Sequence, residues 1–212
     1  MTTFGFSAFL KLVSQNPRPQ LTSIRKRLRP SGRGYDFHRA FRALAKRYVV
    51  DGEDFEVVLG DASDLPNAEV APAQAALNRL ATWRDNNSGT VHRFDPATWE
   101  SEGGYFKVKF EPDFGIQING TTVAVHIWKT ANPALDARMT YAALALVSEA
   151  YESVGNSPDD VAVLSMIDGR LYRLSEVAGY APIGHAMANR LDDFEREIEI
   201  RDRPDVEDQP GA

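Results

Sequence analysis

At 212 residues, with 43% hydrophobic and 25% charged side chains, the chain is long enough to bury a sizeable core and too apolar to be disordered throughout. It has no cysteine, which excludes disulfides, thiolate-held metals and cysteine nucleophiles and fits a reducing, cytoplasmic setting. The net charge of −6 argues against a general polyanion binder, but residues 1–50 carry eleven Lys or Arg against the single acid Asp36, a local balance of +10 that leaves −16 for the remainder.

No apolar run approaches the roughly 18 residues of a membrane span, and the N-terminal patch, broken by Lys11, has no small-residue cleavage signal, so a soluble chain without a membrane partner is expected. The first 50 residues read as helical. A short amphipathic piece lies around SAFLKLVS and a basic one around SIRKRL. After an SGRG turn comes DFHRAFRALAKRYVV, in which Phe37, Phe41, Leu44 and Tyr48 recur at helical spacing behind Asp36 as N-cap. The block holds Arg25, Lys26, Arg27, Arg29 and Arg33, the footprint expected for DNA or RNA phosphates, where each neutralised phosphate releases counterions. Residues 53–59 read as a strand, and APAQAALNRLATW returns to helical periodicity.

From Tyr105 the pattern changes to strands. YFKVKF and FGIQI alternate, and Asn119-Gly120, a type I′ turn signal, leads into TTVAVHIWK, so a three-stranded antiparallel meander is expected over 105–128. A helix is expected over about 134–153, a buried strand over 160–167, a turn at Asp168-Gly169 into RLYRL, and a last helix over 183–199. Together these elements predict one α/β domain over residues 1–200, a mixed central sheet flanked by helices with a basic helical part at 1–50, and an acidic mobile tail over 201–212. Nine acids fall in the last 21 residues.

In this order of elements, four short motifs stand in sequence: His38 in GYDFHRAF, Asp113 in EPDFG, Lys129 in WKT and Tyr141 in ARMTYAALAL. The arrangement resembles the PD-(D/E)XK nuclease superfamily, and most closely its RecB-type branch, over about residues 34–175. The resemblance implies a restriction-endonuclease-like fold, with Asp113, Lys129, His38 and Tyr141 as catalytic residues, Asp113 as metal ligand, and Mg²⁺ or Mn²⁺ as cofactor if the site is active. Two positions depart from the family pattern. With Lys129 as the family lysine, the acid's place is taken by Ile127 and the glutamine's by Ala137; in the alternative register His126 takes the acid's place and Trp128 the lysine's. Residues two apart on a strand share a face, so the two registers exclude each other.

The resemblance implies that phosphodiester hydrolysis would need a Mg²⁺ held by at least two carboxylates, and Asp113 alone is a poor cage. Glu111, Glu149 or Glu152 could supply the second. The expectation is a nuclease-fold protein that binds nucleic acid with weak or lost metal-dependent phosphodiesterase activity; the alternative is a catalytically inert binding or regulatory protein. The same residues also have plain structural roles: Asp113 as a strand entry after proline, Lys129 as a solvated strand end, His126 as a half-buried strand histidine, Tyr141 as core.

Overall fold

A computed structural model describes residues 1–28 and 39–202. The chain begins with a strand, β1 (Thr2–Gly5), and continues through α1 (Phe6–Val13), α2 (Pro17–Leu28), α3 (Arg39–Val49), α4 (Phe55–Asp61) and α5 (Asn67–Asn86). Five strands follow: β2 (Val91–His92), β3 (Ala97–Glu100), β4 (Phe106–Phe110), β5 (Phe114–Ile118) and β6 (Thr121–Trp128). The rest is α6 (Ala137–Tyr151), β7 (Asp160–Ser165), β8 (Leu171–Arg173) and α7 (Ala181–Asp202). Among the described residues no helix is long and apolar enough to cross a membrane.

The strands form two mixed sheets. The larger has the order β2-β5-β6-β7-β8, with β6 and β7 parallel and its other pairs antiparallel. The smaller has the order β1-β4-β3, with β1 parallel to β4. Strand β6 shows why its sequence reads as a nearly continuous apolar run: both of its faces are covered. Val123, Val125 and Ile127 pack with Phe41, Leu44, Leu77 and Leu80 of α3 and α5, while Ala124 and Trp128 pack with Phe9 of α1 and Leu144 of α6. Each large apolar side chain buried this way contributes roughly 1.5–3 kcal/mol, so reversing the faces of β6 would be prohibitive.

Local chemistry sets the element boundaries. Asn119 and Gly120 both adopt positive φ, 51° and 83°, as a type I′ turn requires. Asp136 caps α6, its Oδ1 accepting the Met139 N–H at 2.9 Å. The helix expected over 134–153 and the strand expected over 160–167 are α6 and β7.

Three expectations need correction. Residues 53–59 are not a strand. The Asp54 carboxylate accepts the N–H groups of Glu56 and Val57 and starts α4, and Phe55, Val58 and Ala62 follow at helical spacing. The three-stranded meander is also not formed. Of the three strands expected in it, only β5 and β6 pair with each other; β4 belongs to the smaller sheet, and β2 takes the place beside β5. Pro112 stands between β4 and β5 without an N–H to donate, and the N-terminal TTFG offers β4 an unbroken parallel partner from Thr2↔Phe106 to Gly5↔Lys109. Finally, the last helix continues to Asp202, so the first residues of the expected tail are helical. The SGRG turn, the Asp36 cap and residues 203–212 of the tail lie outside the described residues.

Candidate functional site: a basic cleft over a Ser-His-Asp cluster

The hairpin turn fixes the register at the Asp113 end. Phe114 pairs with Val125 and Ile118 with Thr121, so Asp113, one step before β5, stands across from His126. No β5 residue pairs with Ile127, and the Asp113 carboxylate fills that vacancy in the ladder: its Oδ2 accepts the Ile127 N–H at 2.7 Å. The same oxygen lies 3.2 Å from His126 Nδ1, a contact less well aligned than a straight hydrogen bond. Asp113 Oδ1 faces Arg42 Nε at 3.5 Å.

The far side of the imidazole is equally engaged. His126 Nε2 lies 2.7 Å from Ser7 Oγ and 3.2 Å from Arg42 Nη2, and Arg42 Nη2 donates to Ser7 Oγ at 2.6 Å. Guanidinium N–H groups only donate, so Nε2 must be the bare nitrogen, and the network assigns the ring proton to Nδ1, facing the carboxylate. Ser7 O–H then donates to Nε2. The ring is 2% exposed and held edge-on by Phe6, with centroids 5.2 Å apart.

The environment sets the charge states. Burial alone would push the Asp113 carboxyl up, but His126, Arg42 and the Ile127 N–H together outweigh it and hold the group below the usual carboxylate range. Burial also dominates at His126 and, with the Arg42 charge, lowers its pKa despite the opposing Asp113 carboxylate and Glu111 backbone, so the imidazole is neutral near pH 7.

Above this cluster opens a cleft of about 600 Å³. Its walls carry Arg39, Arg42 and Lys46 from α3, His92 and Arg93 following α5, and the acids Glu111 and Asp113. Arg39, Arg42 and Lys46 fall at i, i+3 and i+7, one face of α3, while Phe41, Leu44 and Ala45 bury the other. Asp113 pairs with Arg42, Glu111 pairs outward with Lys109 at 3.0 Å and Arg93 pairs with Asp51 at 2.9 Å, so the cleft's positive balance rests on Arg39 and Lys46.

The remaining expected site residues are elsewhere. Lys129 is on the other face of the sheet, its Nζ 4.6 Å over the Phe41 ring, where burial lowers its pKa against the opposing charge of Glu69. Tyr141 is buried on α6 against Tyr172 and Tyr180, with centroids 5.9 and 5.3 Å away. Glu149 pairs with His185 at 3.0 Å, apart from the cleft lining. Arg25 and Lys26 are exposed on α2, and Arg27 is tied to β1, donating to the Thr3 carbonyl at 2.8 Å with its guanidinium over Phe4. His38, Arg29 and Arg33 lie outside the described residues. Asp113 and Lys129 are therefore not brought together, whereas Asp113, His126, Arg42 and Ser7 are.

As arranged, these side chains do not fit a divalent metal. One Asp113 oxygen is held by a backbone N–H and the other faces a guanidinium, the neighbouring ring turns an N–H toward it, and Glu111 is paired outward. Among the described residues no three His, Asp or Glu side chains are grouped as around one ion.

The chain matches no family model and no curated protein. Four solved chains show a detectable structural likeness. One is SSO0001, 14% identical, with a TM-score of 0.36, the match covering 96% of this chain and 78% of that one. A likeness this loose assigns neither fold family nor function.

Proposed function

We propose that the chain is a nuclease-fold protein, with a restriction-endonuclease-like core, that binds DNA or RNA through the cleft beside Asp113 and has weak or no Mg²⁺- or Mn²⁺-dependent phosphodiesterase activity. The observation that carries the binding half is the convergence of Arg39, Arg42 and Lys46 on one face of α3 with Arg93 at the same cleft. Arg39 and Lys46 are open to phosphate as they stand, and Arg42 and Arg93 lie beside them in pairs with Asp113 and Asp51 that a phosphate would have to loosen; together they suit a phosphate backbone, which supplies most non-specific affinity. The catalytic half rests on the donor set. In the register the hairpin adopts, His126 and Trp128 take the places where the resemblance implies an acid and a lysine, and Asp113 is left as the one carboxylate facing the cluster.

Salt dependence and charge reversal test this reading. With about four phosphate contacts, affinity for a single-stranded oligonucleotide should fall roughly 50-fold, and for a duplex roughly 150-fold, between 50 and 200 mM salt. Arg39 and Lys46 are exposed, so Arg39→Glu with Lys46→Glu spares the core and should weaken binding by more than about tenfold in fluorescence anisotropy. Unchanged affinity in that double variant, or no binding by the intact chain at low salt, would overturn the proposal.

A further inference from the structure

The cluster beneath the cleft has the order of groups that activates a serine. Ser7 Oγ lies 2.7 Å from His126 Nε2, His126 Nδ1 lies 3.2 Å from Asp113 Oδ2, and the protonation assigned above leaves Nε2 unprotonated, facing both the Ser7 hydroxyl and, at 3.2 Å, Arg42 Nη2. Nucleophile, base and orienting acid are recognised by such geometry rather than by fold or chain order, and the acid–base contact commonly straightens only when substrate is bound. Two further features concern charge. Arg42 both lines the cleft and reaches Ser7 Oγ, so one guanidinium spans the anion site and the nucleophile. Ser7 also sits in the first turn of α1, whose N-cap is Gly5 and provides no side-chain cap, so the positive end of that helix faces the same point.

We propose that Ser7 is the nucleophile of a metal-independent phosphodiesterase site, with His126 as general base and Asp113 as its positioning residue. The choice of phosphodiester rests on the nucleic-acid reading of the cleft; the nucleophile itself rests on the cluster. Ser7 Oγ attacks phosphorus, forming an Oγ–P bond as the bond to the leaving ester oxygen breaks. The serine proton passes to His126 Nε2 and from there to the departing alkoxide. One strand end is released as an alcohol, and the other stays joined to Ser7 as a phosphodiester. Water then attacks phosphorus, giving its proton to Nε2, and the Oγ–P bond breaks with that proton returned to Ser7. Arg42 holds a non-bridging oxygen as charge builds in both steps, the role a metal would otherwise fill. A hydroxyl serving only to tether α1 to α3 would satisfy the same hydrogen bonds without being nucleophilic.

The test uses the full-length chain in EDTA and a fluorophosphonate, which phosphonylates activated serines with loss of fluoride whatever their natural substrate. Expected are a single adduct mapped to Ser7 by peptide mass spectrometry, labelling slowed by about 100-fold or more in His126→Gln, and a comparable slowing in Asp113→Asn while far-UV circular dichroism shows it folded. A 5′-labelled oligonucleotide should be cleaved in EDTA by the wild type and not by Ser7→Ala. No adduct at Ser7, labelling that His126→Gln leaves unchanged, or labelling without EDTA-resistant cleavage would each overturn the proposal. Loss of Ser7 reactivity with salt-dependent binding intact removes the nucleophile alone. Absent binding with Ser7 still labelled removes the nucleic-acid reading, and with it the phosphodiester substrate.

Discussion

Replacing Asp113 by alanine separates a structural hub from a metal ligand, because the two roles give opposite signs of stability change. In this fold the carboxylate closes the ladder where β5 has no partner for Ile127, so its loss leaves the Ile127 N–H without its acceptor, at a cost of about 1–3 kcal/mol. The Arg42 contact is 3.5 Å long and Arg42 is a third exposed, so its loss adds no more than about 1 kcal/mol. The sum is a destabilisation of roughly 1–4 kcal/mol. For a chain of this length that lowers Tm by about 2–16 °C. Asp113→Asn keeps an acceptor for the N–H and should cost roughly half as much. Urea denaturation followed by circular dichroism is the assay, with an earlier midpoint at unchanged slope as the expected result. An acid kept for binding a cation is relieved of repulsion when removed, so an Asp113→Ala protein as stable as the wild type, or more so, would refute the hub.

Two further outcomes follow from residues away from the cluster. Glu195 on α7 is 2% exposed with its Oε1 unpartnered, and burial pushes its carboxyl up to about 7. The unfolded chain releases this proton first, so folding stability falls as pH rises from about 4.5 to 7 and stays lower above it; Glu195→Gln should gain roughly 1–3 kcal/mol at pH 8, after allowance for solvent screening, and almost nothing at pH 4, measured by urea midpoints at both. Lys129→Met should leave oligonucleotide affinity within about twofold, because Lys129 is not among the cleft's lining residues, and should bring an earlier urea midpoint, because the buried Glu69 loses the charge that opposes it; a tenfold loss in anisotropy would instead place Lys129 among the phosphate contacts.

The fold was legible where periodicity and turn chemistry agreed. The β5–β6 hairpin, α6 and β7 follow from alternation, the Asn-Gly turn and a long apolar stripe. It was not legible where pairing is non-local. TTFG has too few residues to show alternation, and its place beside β4 is decided by a partner about a hundred residues away. Strand β2 is two residues long. The stretch around Val57 and Val58 reads as β-branched strand until the Asp54 cap is counted, and the cap decides it. At the site, the basic block was visible as a total, but the residues that line the cleft are the helix-spaced Arg39, Arg42 and Lys46. Ser7 carried no local signal, since its partners come from α3 and β6.

The register of the hairpin was nevertheless encoded, and it settles which residues Asp113 can work with. A two-residue Asn119-Gly120 turn places Ile118 opposite Thr121, and counting back five on each strand lands on Asp113 and His126. Trp128 follows His126 on that face; Ile127 and Lys129 take the other. Any chemistry that needs an aspartate and a lysine together is thus opposed by strand geometry, and moving Lys129 across would turn Val123, Val125 and Ile127 out of their core. With the lysine excluded, the groups within reach of Asp113 are an imidazole, a guanidinium and, through the imidazole, a hydroxyl. That set is poor in anionic ligands and rich in donors. It therefore favours binding an anion over binding a cation, and it is this donor set that led us to propose the serine, rather than metal-activated water, as the nucleophile.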